Sequence, residues 1–179
     1  RKVSGIDLKL HPIQGVKEAL FQYGTIDLID LGLVKPEQIP HNEKDGNPAP
    51  FGVGACALGG EAAFQYVIKV IDLAMKKQVD ATVTNALSKE AINMAGHHYS
   101  GHTEIYAEYT HTEHYTMMLA HENMRVVHVS THVSLREACD RVKKQRVLDV
   151  IRIGDKACRE MGIENPRIAV AGLNPHSGE

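Results

Sequence analysis

Nowhere in the 179 residues do about 18 apolar side chains follow one another, and no basic-then-apolar leader opens the chain. Both absences argue against a membrane-spanning helix and a secretory signal. Cysteine is scarce: Cys56, Cys139 and Cys158 are far apart, odd in number and without a C-x-x-C spacing. They read as reduced thiols of an intracellular protein, which excludes a disulfide framework and a cysteine zinc site. An excess of one charge is also missing. With 20 basic and 22 acidic side chains, a net charge of −2 and no long like-charged run, the chain offers no footprint for nucleic acid or an anionic membrane. Its one basic cluster, Lys143, Lys144 and Arg146, has acidic neighbours on an expected helix and reads as a solvated face. The cytoplasm is the expected location.

What is present is the composition of a globular protein, 43% hydrophobic and 23% charged, enough for one domain or two small lobes. The chain begins on Arg1 and stops at Glu179 directly after the loop-like run Asn-Pro-His-Ser-Gly-Glu, which suggests a fragment. A short apolar run, Ile26 to Leu33, precedes a Pro- and Asn-rich connector that reaches Pro50. Helical spacing then appears in Ala63, Val67, Val70, Ile71, Ala74 and Met75, closed by Lys76 and Lys77. Val79 to Thr84 reads as a strand, followed by a short helix ending at Gly96 and another over Glu104 to Tyr109. Two strand-like runs, Tyr115 to Ala120 and Met124 to Ser130, lead to Ser134-Leu-Arg-Glu137, the pattern of a capping box. A further helix spans about Val147 to Met161 with Gly162 as its stop, and Arg167 to Gly172 reads as a strand again. Strands alternating with helices predict an α/β fold with a largely parallel sheet.

Five of the eleven histidines fall between Gly96 and Tyr115: His97, His98, His102, His111 and His114. Histidine is both the commonest protein metal ligand and a frequent surface residue, so position must sort them. His97 and His98 follow Gly96 and fit a helix-terminating loop, while His111 and His114, three apart near a helix end, fit either a chelating face or a solvated one. Ligands of open α/β sheets bind beyond the carboxyl ends of strands. His132 and His176 each follow an expected strand, which places both on one rim where a divalent cation could take a nitrogen from each and a further ligand from elsewhere. A loop histidine with no such duty remains the other reading. Gly101-His102-Thr103 leaves backbone N–H groups free at a helix start, suited to a phosphate or carboxylate, or equally to a helix capped by Thr103. Lys89, behind the strand Val79 to Thr84, could act as acid or base on the same rim, or be an ordinary helix lysine. Gly52-Val53-Gly54-Ala55-Cys56-Ala57 matches G-x-G-x-x-A but follows Pro-Ala-Pro-Phe in place of a strand, so it is rejected as a dinucleotide turn.

Three runs change this balance together. Gly101-His102-Thr103-Glu104, Ser130-Thr131-His132 with Leu135-Arg136, and Gly172-Leu173-Asn174-Pro175-His176-Ser177-Gly178-Glu179 resemble, in order and approximate spacing, the 4-hydroxythreonine-4-phosphate dehydrogenase family. The last run is the most specific. Asn85-Ala86-Leu87-Ser88-Lys89 is similar to that family's lysine-bearing segment, with Ser88 where Asn is usual. Ala95-Gly96-His97-His98-Tyr99 and His128-Val129-Ser130-Thr131-His132 resemble the branch that oxidises four-carbon sugar-acid phosphates.

The resemblance implies a two-lobed α/β fold of the isocitrate and isopropylmalate dehydrogenase kind, working as a homodimer. Residues 1–99 would belong to the first lobe and 100–179 to the second. It implies a divalent metal (zinc, magnesium or cobalt) held by His132, His176 and a third histidine from a later segment absent here. It implies substrate contacts at His102 and Thr103, Lys89 beside the reacting centre, and NAD or NADP as hydride acceptor. The reaction would be oxidation and decarboxylation of a phosphorylated hydroxy acid, 4-phosphohydroxy-L-threonine or the D-threonate or D-erythronate 4-phosphates. The family's Gly-Asp-Pro-Gly-like upstream segment and its long carboxyl-terminal part are missing from this sequence. The isolated chain is therefore expected to bind metal weakly and turn over poorly. A zinc hydrolase built on His102, His132 and His176, or a non-catalytic sugar-phosphate-binding or dimerising module, are the competing expectations.

Overall fold

A computed structural model describes residues 5–38 and 55–178. The chain divides into two compact units, Arg1–Thr110 and His111–Glu179. Most of the Pro- and Asn-rich connector and the first part of the Gly52–Ala57 motif lie outside the described residues.

In the first unit, β1 (Lys9–Pro12) and β2 (Thr25–Leu28) pair in parallel, with His11 opposite Asp27. Helix α1 (Ala57–Met75) begins at an N-cap whose side chain, the Cys56 sulfur, accepts from the Gly59 N–H at 3.4 Å. Its apolar residues recur every three or four positions, so one face buries Phe64, Val67 and Ile71. Against that face lie α2 (Lys89–Met94) and α3 (His102–Tyr109), which contribute Ile92 and Ile105, both fully buried. The α1–α2 crossing is close because Gly60 has no side chain: a β-carbon there would lie 1.9 Å from the Ala91 carbonyl oxygen.

In the second unit, β3 (Met118–His121) and β4 (Met124–Val127) form an antiparallel hairpin. Helix α4 (Leu135–Arg141) starts at Ser134, whose Oγ accepts the Glu137 N–H at 3.3 Å. The expected reciprocal reach of Glu137 is replaced by a bond from Arg141 Nε to its carboxylate at 3.1 Å. Helix α5 (Lys144–Glu160) ends before Gly162, whose φ of +88° terminates it at no steric cost. Gly154 of α5 faces β4, where a β-carbon would be 3.4 Å from Val127 Cγ2.

The α/β character agrees with the sequence reading; the largely parallel sheet does not. One parallel and one antiparallel pair are the sheets among the described residues. Val79 to Thr84 and Arg167 to Gly172 form no ladder, and Val83 (94% exposed) and Val170 (61%) lie open to solvent. A strand is defined by a hydrogen-bonded neighbour as much as by its own residues, and no described segment pairs with either run. No helix among the described residues is long and apolar enough to cross a membrane.

Candidate functional site

Lys89 and the run from Gly101 are brought together in the first unit. Lys89 is the first residue of α2, behind an N-cap in which Ser88 Oγ accepts the Ala91 N–H at 3.2 Å. Gly101 is the N-cap of α3, and His102 and Thr103 are its first two residues, both half-buried. A β-carbon built on Gly101 would stand 4.0 Å from Lys89 Cε and 3.7 Å from Glu104 Oε2. The lysine stem thus passes the opening of α3. A cation beside a helix start whose first N–H groups lack intrahelical acceptors is an arrangement suited to an anion. The packing of Ile92 and Ile105 against α1 sets this approach, since each helix carries one residue of the pair of functional runs and one of the core.

His97 and Tyr99 line the same core. The His97 ring stacks on Phe64, centroids 3.7 Å apart at 13°, and its Nε2 lies 2.6 Å from Glu61 Oε2. That hydrogen bond, with a second from Gln65, holds the Glu61 carboxyl below the ordinary carboxylate range. Burial first, and then the hydrogen bond to Glu108, push the Tyr99 phenol up to about 12. His97 therefore has a packing and hydrogen-bonding duty, more than the loop role expected for it. His98 Nδ1 lies 3.0 Å from Asn93 Oδ1. His11 Nδ1 lies 2.8 Å from Asp27 Oδ1. That contact leads the causes that lower the Asp27 pKa, and the other carboxylate oxygen accepts the Leu20 and Phe21 N–H groups.

His132 and His176 both belong to the second unit, and both are exposed. Their backbones are left-handed, with φ of +56° and +55°. Non-glycine residues adopt this region at a cost and cluster there at functional sites. Neither ring is hydrogen-bonded among the described residues, so a nitrogen of each is available to a cation. Neither sits at the carboxyl end of a parallel strand as expected: β4 ends at Val127 in an antiparallel hairpin, and the run before His176 is not a strand. The same correction applies to Lys89, which follows an extended segment without a ladder. Two imidazoles fit part of a divalent-ion set, but among the described residues no group of three or more His, Cys, Asp or Glu comes together. Any metal would need a further ligand, and the three-histidine hydrolase gains no support. His111, at φ +54°, follows the end of α3, and His114 Nδ1 lies 3.8 Å from Asp149 Oδ2, so these two do not share a helix face.

Arg146 was expected on a solvated face. It is half-buried, and its guanidinium donates from Nε to the Val129 carbonyl and from Nη2 to the Tyr115 carbonyl, each at 3.0 Å. No local pattern announces such a bond, because its acceptors lie on other segments.

A family model described as pyridoxal phosphate biosynthetic protein PdxA matches residues 6–179. The D-threonate 4-phosphate dehydrogenase of Cupriavidus necator is 40% identical over 178 residues, covering 99% of this chain and 50% of that protein. The protein of the same name from Salmonella typhimurium is 39% identical over 173 residues, covering 97% and 50%. A crystal structure of a 4-hydroxythreonine-4-phosphate dehydrogenase from Burkholderia phymatum superposes with a TM-score of 0.75 at 38% identity, over 96% of this chain and 48% of that one. The chain spans about half the length of the curated relatives it matches.

Proposed function

The chain belongs to the PdxA family of pyridoxal phosphate biosynthetic proteins, and from that premise we propose that it is part of an NAD(P)-dependent dehydrogenase of a phosphorylated four-carbon hydroxy acid. The names of the curated relatives support D-threonate 4-phosphate, and that of the structural relative supports 4-hydroxythreonine 4-phosphate; the former is taken as the substrate here. On this reading the chain is part of a two-lobed isocitrate dehydrogenase-like fold that is longer than this chain and works as a homodimer.

The observation that carries the proposal is the convergence of Lys89 on the opening of α3. His102, Thr103 and the first N–H groups of α3 hold an anionic group of the substrate, which fixes the secondary alcohol relative to Lys89. Lys89 takes the hydroxyl proton as the alcohol is oxidised and returns a proton to carbon after carbon dioxide departs. His132 and His176 supply two nitrogens of a divalent-ion site. An ion held there would supply Lewis-acid chemistry, lowering the pKa of a hydroxyl bound to it. A nicotinamide would supply the hydride acceptor, and no described residue is assigned to it.

Calorimetric titration with D-threonate 4-phosphate, in the presence of zinc, tests the reading on the parent chain and on Lys89→Met and His132→Ala. The expectation is a ligand affinity about tenfold weaker in each variant. Parental affinity in both variants would defeat it.

A further inference from the structure

The ladder of the β3–β4 hairpin ends at the pair Met118 and Val127, yet the two arms of the hairpin stay together beyond it. Side chains take over from the backbone there. Thr116 Oγ1 donates to the His128 carbonyl at 2.6 Å, and His128 Nδ1 lies 3.3 Å from the Met117 carbonyl. One step further, Arg146 of α5 bonds the Val129 and Tyr115 carbonyls together, one from each side of the continued hairpin. Val129 is three residues before His132, and two residues after His132 the chain is fixed again by the Ser134 cap of α4.

The segment carrying His132 is thus pinned at both ends by side chains, while His132 itself has a left-handed backbone that nothing local favours. A histidine adopts such a conformation at a modest cost, which contacts of the surrounding chain can offset. The planar guanidinium is the group that can do this, because its fork reaches two carbonyls in fixed directions. An ammonium, a point donor on a flexible stem, holds one at a time.

We propose that Arg146 is the positioning residue of His132: its guanidinium clamps the hairpin end and so sets where the imidazole is presented. The inference rests on the reading of His132 as a metal ligand for its purpose, and on the hydrogen bonds for its geometry. It assigns to one helix side chain a part in the candidate site that no spacing or motif marks.

The test compares the parent chain with Arg146→Met, which keeps the apolar stem, and Arg146→Lys, which keeps the charge. Arg159→Met serves as control, since Arg159 sits on the same helix and binds the Asp155 carboxylate at 2.9 Å, remote in sequence from the hairpin. Amide hydrogen exchange is followed for Val129 to His132 without metal, and zinc affinity is measured by calorimetry. Both Arg146 variants are expected to exchange these amides about tenfold faster and to bind zinc about tenfold more weakly, with Arg159→Met unchanged in both. Parental exchange in Arg146→Met, an equal effect in Arg159→Met, or faster exchange with unaltered zinc affinity would each overturn the proposal. A parent chain that binds no zinc would remove the metal reading of His132, and the exchange rates would then decide the clamp alone.

Discussion

The two units hold their candidate residues by different means. In the first, Phe64, Val67, Ile71, Ile92 and Ile105 form one apolar cluster, and the residues at the openings of α2 and α3 are carried on helices that this cluster locks. In the second, Val150 and Gly154 are the buried positions among the described residues, and carbonyl-directed side chains hold the segment before His132. Burial gives a non-directional force that sets distances between whole helices. Hydrogen bonds to backbone fix one short segment at a time. Lys89 and Thr103 are therefore positioned by packing, and His132 by polar contacts that leave it exposed.

The largest expected effect comes from breaking the packing half. Gly60→Ala would place a methyl group 1.9 Å from the Ala91 carbonyl oxygen, and since that atom is backbone the two helices must separate. The expected loss is about 3 kcal/mol of stability in urea unfolding, with weaker binding of a phosphorylated ligand because Lys89 moves with α2. Unchanged stability would mean that α1 and α2 do not cross as described, and the contrast between units would lose its first term.

How much of this was legible depends on whether the signal is local. Helices α1 and α5 were readable because periodicity and the stop at Gly162 are written within a few residues. The Ser134 cap was readable for the same reason. Val79 to Thr84 and Arg167 to Gly172 were misread because β composition does not name the partner a strand requires. For the candidate site, Lys89, His102, Thr103, His132 and His176 were each nominated by position and resemblance. The nearness of Lys89 to Gly101, and the bonds of Arg146 and of His97 to Glu61, were not legible: each joins residues far apart in sequence through tertiary packing.

A smaller effect is expected from the second unit's other candidate loop. A β-carbon on Gly172 would lie 2.8 Å from Ser177 Oγ and 3.1 Å from Ser177 Cα, so the folded-back loop must shift to make room for one. Ser177 adjoins His176, and both are left-handed. Gly172→Ala should therefore displace His176, lowering zinc affinity about tenfold while costing only about 1 kcal/mol of stability. The split between the two readouts is what distinguishes this unit from the first. Loss of stability as large as in Gly60→Ala, or zinc affinity that does not change, would break the comparison.

The smallest effect asks whether polar bonding also matters in the packed unit. The Glu61 carboxyl is held below its ordinary range by His97, whose ring is stacked on core residue Phe64. A carboxylate whose folded pKa is depressed contributes stability that is fully present above the unfolded value, about 4.3, and is lost as pH falls through the lower folded value. Thermal midpoints measured from about pH 6 to about pH 3 should therefore fall less steeply for Glu61→Gln than for the parent. Asp27, whose pKa is lowered in the same direction by His11, keeps part of the acid sensitivity in that variant. Only the double variant with Asp27→Asn should flatten it further. An acid limb identical to the parent's in Glu61→Gln would mean that the His97 ring is held by its stacking on Phe64 alone, and packing would then account for the whole of the first unit.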